Sequence, residues 1–159
     1  MNSKGSSRVR AAGIVLRDDM LLVTFRRRDG REYYTFPGGM IEENESPEEA
    51  VAREIKEETT IDVEVLNLSY ELNRPGELPR EFFYRCKYIK GEPVLAQDSI
   101  ERKINDPERN FFEPKWVKMA DLQKDIPLFP IEVADRLFHD LEHGFQEEPV
   151  KVEGTIIGG

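Results

Sequence analysis

Apolar, β-rich runs and stretches of period-two alternation recur along this chain, broken by two stretches of helical spacing. "VRAAGIVL" and "MLLVTF" are β-rich runs separated by "RDD", a turn signal, and together they predict a hairpin. "REYYTF" follows Asp29-Gly30, a hairpin-turn dipeptide, and predicts a third strand. Further on, "IDVEVLNLSYEL" alternates as a half-buried strand does, "NRPGELP" breaks it, and "EFFYRCKYI" resumes it. Residues 97–114 are polar and irregular and read as a long loop. "KWVKM" predicts a brief strand, "ADLQKD" a helical turn, and "PIEVADRLFHDLEH" a closing helix stopped by Gly144. Residues 1–8 read as a flexible lead-in, 9–144 as one domain and 145–159 as a tail, with "GTIIGG" either disordered or pairing at a sheet edge. Mixed strands around one or two helices predict an α+β or α/β sandwich.

The first change of period falls in "FPGGMIEENESPEEAVAREIKEETTI", residues 36–61. Ser46 can cap a helix, Pro47 suits its first position, and Glu49 completes an S-x-x-E capping box. At ~100° per residue, Val51, Ala52, Ile55 and Thr59 share one face, which should pack on the sheet. Glu54, Glu57 and Glu58 share another, and Arg53 is four residues from both Glu49 and Glu57. Three carboxylates on one face repel by a few tenths of a kcal/mol per pair on an exposed helix, and by more where water is excluded. A solvated acidic face is the ordinary explanation. The Gly38-Gly39 turn leading into it and the placement of Arg53 favour another, a hard divalent cation such as Mg²⁺, which takes oxygen ligands and leaves positions for water and phosphate.

Composition narrows the partners. A formal net charge of −9 leaves no basic footprint for a nucleic-acid polymer or an anionic membrane. A small anionic ligand remains compatible if cations accompany it, and a bound metal would supply such charge. The lone Cys86 excludes an internal disulfide and fits a reducing compartment; it reads as a half-buried strand residue. With no apolar run of membrane length and no leader pattern, the expectation is a cytoplasmic protein. One domain of 159 residues is long enough for a core of its own.

Residues 39–61 also resemble the Nudix box, G-x5-E-x7-R-E-U-x-E-E-x-G-U, where U is aliphatic. Gly39, Glu45, Arg53, Glu54, Ile55, Glu57, Glu58 and Ile61 stand at the required spacing, and Thr60 replaces the usual glycine. The resemblance implies a Nudix-like α/β/α sandwich, a mixed β-sheet between helices, with the box as loop–helix–loop. It implies Mg²⁺ or Mn²⁺ bound through Glu54, Glu57 and Glu58 with the backbone carbonyl of Gly38, while Glu45 and Arg53 brace the loop against the helix. The implied chemistry is hydrolysis of a diphosphate linkage in a nucleoside diphosphate derivative or nucleoside triphosphate. A Nudix-fold nucleotide-binding or regulatory module without turnover is the alternative, and a homodimer is the family's expectation. At Thr60, the family glycine would adopt left-handed geometry, which costs a β-branched residue about 1 kcal/mol.

The remaining candidates are less sharply drawn. The water-activating base is either Glu54 or a later loop acid, Glu101 first and Glu108 or Glu113 behind it. "FRRRDGR" sets Arg26, Arg27, Arg28 and Arg31 beside the box; strand parity should turn at least one towards the cleft, with Arg26 and Arg28 as the substrate-binding candidates. A charged hairpin tip explains the same run without a ligand. Tyr33, Tyr34, Phe83 or Tyr84 could stack on a base, although strand aromatics are more often core. His139 and His143 are spaced i, i+4, but no H-E-x-x-H motif accompanies them and the helix dipole favours His at that end. Pro75 and Pro79 lie near where an ADP-ribose mark would fall, in imperfect register. ADP-ribose, a nucleotide sugar and a (d)NTP all remain open.

Overall fold

The alternating runs become strands of one mixed sheet, and the two runs of longer period become helices on its opposite faces. A computed structural model describes residues 8–76, 78–94, 106 and 109–154. In chain order these hold β1 (Val9–Arg17), β2 (Met20–Arg28), β3 (Arg31–Thr35), β4 (Gly38–Met40), α1 (Pro47–Thr59), β5 (Asp62–Asn73) and β6 (Arg80–Lys90). After these come β7 (Asn110–Lys118), β8 (Leu128–Phe129), α2 (Ile131–His143) and β9 (Val150–Glu153). The predicted hairpin forms around a tight turn in which Arg17 pairs with Met20. The next one turns through Asp29 and Gly30, both at positive φ, the geometry that a two-residue turn between twisted strands requires.

The sheet forks just beyond the first hairpin. β1 meets β2 at Leu16↔Leu21 and Arg17↔Met20. Farther from the turn, β1 pairs instead with β4, at Arg10, Ala11 and Ala12, while β2 pairs with β3 from Thr24 to Arg28. The outer edge of β1 runs parallel to β6, and that of β2 runs antiparallel to β7. The arm carried by β1 continues through β6 and β5 to β9; the arm carried by β2 continues through β3 to β8. Side chains from both arms line one cleft.

Strand alternation then fills two cores. Ala11 and Val15 of β1 pack with Leu22, Ala50, Val51 and Ile55 beneath α1. Ala12 and Ile14 pack with Leu21, Val23, Tyr70, Phe83 and Leu137 beneath α2. The architecture is the expected α/β/α sandwich.

Four elements differ from the sequence reading, the first being the expected Gly38-Gly39 turn, which is strand β4 paired with β1. β7 begins at Asn110, so the end of the expected 97–114 loop is strand and "KWVKM" is only the second half of a nine-residue element. Its Phe111 and Phe112 were hidden by polar neighbours on both sides. The turn after β7 is a 3₁₀ turn over Met119–Asp121. Within 145–159, Val150–Glu153 pairs in parallel with Tyr70–Asn73 at the sheet edge. No helix among the described residues is long and apolar enough to cross a membrane.

Candidate active site

The site is built from the helix start outward. Ser46 accepts from the Glu49 amide at 3.1 Å and Glu49 accepts from the Ser46 amide at 2.9 Å, so the capping box closes, with Pro47 in the first turn. This commits Glu49 to the cap, and Arg53 turns to other acids. Its Nε and Nη2 donate to the two oxygens of Glu45 at 2.6 and 3.0 Å, a fork on a carboxylate. Nη2 also reaches the Met40 carbonyl at 3.2 Å, and Nη1 takes Glu54 at 2.8 Å and Glu57 at 3.2 Å. One guanidinium therefore ties the loop to the helix. The hydrogen bond from Arg53 holds the Glu45 carboxyl below its ordinary value against the opposing pull of burial. The bond to Glu45, and after it those to Glu54, raise the Arg53 guanidinium further still.

The box carboxylates do not share one environment. Relative to Glu54, helical geometry turns Glu58 ~40° one way and Glu57 ~60° the other. Glu58 is buried and accepts from the Gly38 amide at 3.3 Å, and Glu54 is half-buried. Glu57 is exposed and stands outside the cleft lining. Among the described residues no three acidic side chains converge on one point. The expected packing face shifts likewise: Ala50, Val51, Ile55 and Thr59 are buried, whereas Ala52 is only half-buried.

Two glycines let this happen. A Cβ on Gly39 would lie 2.5 Å from the Glu54 carboxyl carbon, so the carboxylate occupies space that any side chain would need. A Cβ on Gly38 would strike the Ala11 carbonyl and the Ala12 backbone.

Thr60, where the box pattern has glycine, ends α1 in the left-handed region at φ 61°. Its hydroxyl lies 2.6 Å from the Thr59 carbonyl and 2.8 Å from that of Glu92. The Val94 amide reaches back to the Thr59 carbonyl at 3.0 Å. A net hydrogen bond is worth about 1 kcal/mol, which matches the cost of the strained backbone. The threonine exchanges glycine's freedom for a tether on the segment after β6.

The cleft has a volume of about 520 Å³. Glu54, Glu58 and the Gly38–Met40 strand form one wall. Arg26 enters from β2, its guanidinium 3.8 Å above the Phe112 ring and its Nη2 3.0 Å from Asn110 Oδ1. Thr24, on the same side of β2, lines the cleft with a buried hydroxyl that meets no hydrogen-bond partner among the described residues. Arg10, Arg74 and Glu81 also line it, as does Phe129 before a cis Pro130.

The other sequence candidates fall in varied places. Arg28 is exposed at the hairpin tip and does not line the cleft; Arg27 pairs with Glu32 at 2.9 Å. Glu101 and Glu108 lie outside the described residues, and Glu113 is exposed on β7. Phe83 lines the cleft but is fully buried, Tyr84 packs beneath α1, and Tyr33 and Tyr34 pack on Phe129 and Phe25. His139 and His143 stack at 4.5 Å, with His139 3.2 Å from the buried Asp140, which Tyr70 and Arg136 also bind. Burial pushes the Cys86 thiol up to about 12, which keeps it inert. Sequence reasoning missed Arg10, Arg74, Glu81, Thr24, Phe112 and Phe129. Parity along β1 and β6 could have paired Arg10 with Glu81, but only once those strands were known to be neighbours.

Comparison with known proteins completes the description. A model of the NUDIX domain matches residues 7–137. A MutT-like protein of Streptomyces ambofaciens is 40% identical over 91 residues, which cover 57% of this chain and 58% of that protein. The NAD-capped RNA hydrolase NudC of Escherichia coli is 32% identical over 130 residues, 79% of this chain and 44% of NudC. The chain thus spans about half the length of these curated relatives. Among solved structures, a NUDIX hydrolase from Nitrosomonas europaea superposes with a TM-score of 0.71 at 20% identity, over 94% of this chain and 78% of that one. An ADP-ribose pyrophosphatase from Streptococcus suis gives 0.62 at 21% identity, over 91% and 97%. At these identities the likeness establishes the fold.

Proposed function

The chain belongs to the NUDIX family, and on that premise we propose that it hydrolyses a diphosphate linkage in a nucleoside diphosphate derivative or nucleoside triphosphate with the help of Mg²⁺ or Mn²⁺. The observation that carries this reading is one cleft lined by Glu54 and Glu58 on one wall and Arg26 on another. Carboxylates and glycine backbone are the hard oxygen donors that such an ion takes, so the residues present fit it. Glu54, Glu58 and the Gly38 carbonyl are the proposed ligands at the cleft, and Glu57, which lies outside its lining, would join them only on a turn of its side chain. When bound, the ion would polarise the phosphate and lower the pKa of an attacking water.

The chain's own groups do the rest. Arg53 orients Glu54 and Glu57 through one nitrogen and fixes the loop that carries Gly38 and Gly39. Arg26, stacked on Phe112, is held as a preformed phosphate donor, which lowers the entropy cost of binding. Proton acceptance falls to Glu54 or to Glu101; in the second case Glu101→Gln lowers turnover more than substrate binding, and a wild-type rate in that variant removes it from the mechanism. The net charge of −9 favours a small substrate over a polymer. The proposed setting is the cytoplasm.

The test is incubation with Mg²⁺ and a panel of nucleoside diphosphate derivatives, triphosphates and a dinucleotide, with the products identified. Cleavage at a diphosphate linkage, lost on chelation, is the expected result. Tight binding of one ligand without turnover of any would instead make the chain a nucleotide-binding module.

A further inference from the structure

The cleft holds a second charged assembly that the reaction above does not use. Arg10 is the second residue of β1, Glu81 lies beside it in the parallel register of β1 and β6, and Arg74 follows the end of β5. Arg10 Nε approaches Glu81 Oε2 at 3.3 Å, and Arg74 Nη2 approaches Glu81 Oε1 at 3.8 Å. Arg10 thus donates one hydrogen bond to Glu81, and Arg74 faces the other oxygen at ion-pair distance. Glu81 is 7% exposed, and it is the one carboxylate that either arginine pairs with among the described residues. Two cations on one buried anion leave a net positive charge, and the remaining guanidinium nitrogens are donors for another acceptor.

The position of the three follows from strand alternation. Ala12 and Ile14, Phe83, and Tyr70 and Leu72 form the apolar core beneath α2. Arg10, Glu81 and Arg74 continue those same alternations outward to the ends of their strands. Arg10 is two residues from Ala12, the partner of Gly38, so its Cα stands roughly 7 Å along the strand from the glycine that donates to Glu58. That offset is longer than one anhydride link and within the span of a phosphate chain of three that starts at the carboxylate wall. An ion triad serving only to close the sheet end would not need to line a cleft with Glu54, Glu58 and Arg26.

We propose that Arg10 and Arg74, oriented by the buried Glu81, form an anion subsite for a phosphate group beyond the diphosphate that is cleaved, so that the preferred substrate carries a third phosphate. This specificity rests on the reading of the cleft as a diphosphate-hydrolysing site. Two sources offer the same chemistry: the end of a triphosphate chain, and a phosphate monoester on the sugar of a diphosphate-linked compound.

The experiment has two arms. Calorimetry in EDTA compares inorganic tripolyphosphate with inorganic diphosphate on wild type, Arg10→Gln, Arg74→Gln and the double variant. Wild type should prefer tripolyphosphate by about tenfold or more, the usual worth of a charge-assisted hydrogen bond, and the double variant should lose the preference. The single variants keep one guanidinium on Glu81 and should each lose part of it, and Arg10→Lys with Arg74→Lys should restore part. Kinetics with Mg²⁺ then compares a nucleoside triphosphate, the diphosphate, and a dinucleotide with and without a 2′-phosphate. The expected change in the double variant is a raised KM with kcat kept for whichever compound carries the third phosphate. Equal loss for all of them, or a retained tripolyphosphate preference, overturns the subsite. Absence of turnover with an arginine-dependent tripolyphosphate preference would sink the hydrolase reading and leave the subsite standing.

Discussion

Arg53 and Glu81 are inverse solutions to the same problem. Around Arg53, one half-buried cation gathers Glu45, Glu54 and Glu57, and the assembly is left negative. Around Glu81, one buried anion gathers Arg10 and Arg74, and the assembly is left positive. The first is local, spanning a loop and a single helix; the second joins strands that are 71 residues apart. Both send side chains into the same cleft. On the proposed reading, an ion pair's role is set by its leftover charge: one assembly would repel phosphate until a cation arrives, and the other would attract it directly.

The largest expected effect comes from the negative assembly. Glu54→Gln or Glu58→Gln should cut turnover by about a hundredfold or more, since each removes a charged group at the reacting end of the cleft, while circular dichroism stays unchanged. A variant that kept its rate would place the chemistry elsewhere. Removing the hub should act on stability as well as on turnover. Arg53→Ala leaves Glu45 and Glu54 without their cation, and a loss of about 1–3 kcal/mol in chemical denaturation is expected for a pair that is only partly exposed. If Arg53→Ala left stability untouched, the brace would be dispensable.

A pH titration sharpens the same contrast. Glu45 has its folded-state value lowered from 4.5, so its contribution is fully present above that value and is lost as pH falls through the lower folded one. Wild-type stability should therefore drop below about pH 4.5, and Arg53→Ala should flatten that part of the profile. An equally steep profile in the variant would assign the acid sensitivity to other carboxylates. The smallest effect is expected at the far end of α1. Thr60→Gly relieves the left-handed backbone but removes the hydroxyl from the Glu92 carbonyl, so stability should stay within roughly 1 kcal/mol and the metal requirement should not change. Activity appearing only in that variant would contradict the assignment of the helix.

Legibility from sequence followed the range of the interactions. The capping box and the Arg53–Glu57 pair depend on neighbours within a turn, and spacing alone exposes them, whereas the strained Thr60 was marked by the glycine that the box pattern has at its place. The separate fates of Glu57 and Glu58 were half legible. Helical angles put them on either side of Glu54, but only the position of β4 decides which side is the cleft. Arg10 and Glu81 were illegible because a parallel register between distant strands leaves no mark in either one, and Arg74 lies in the connection from β5 to the antiparallel β6, where spacing does not say which way a side chain turns. Phe112 was hidden for a different reason: its strand is punctuated by Pro114 and set in polar sequence, so its alternation is too short to register.

The space above Gly39 has a consequence for how this sequence can vary. Because the carboxylate of Glu54 fills the volume that a Cβ at position 39 would claim, the two positions are not independent variables. A substitution at 39 would push the Glu54 carboxylate from the place it holds, whereas a shorter residue at 54 would make room for one. On the proposed reading, a lineage built on this backbone would keep the glycine only for as long as the glutamate lies over it, so the two positions should change together.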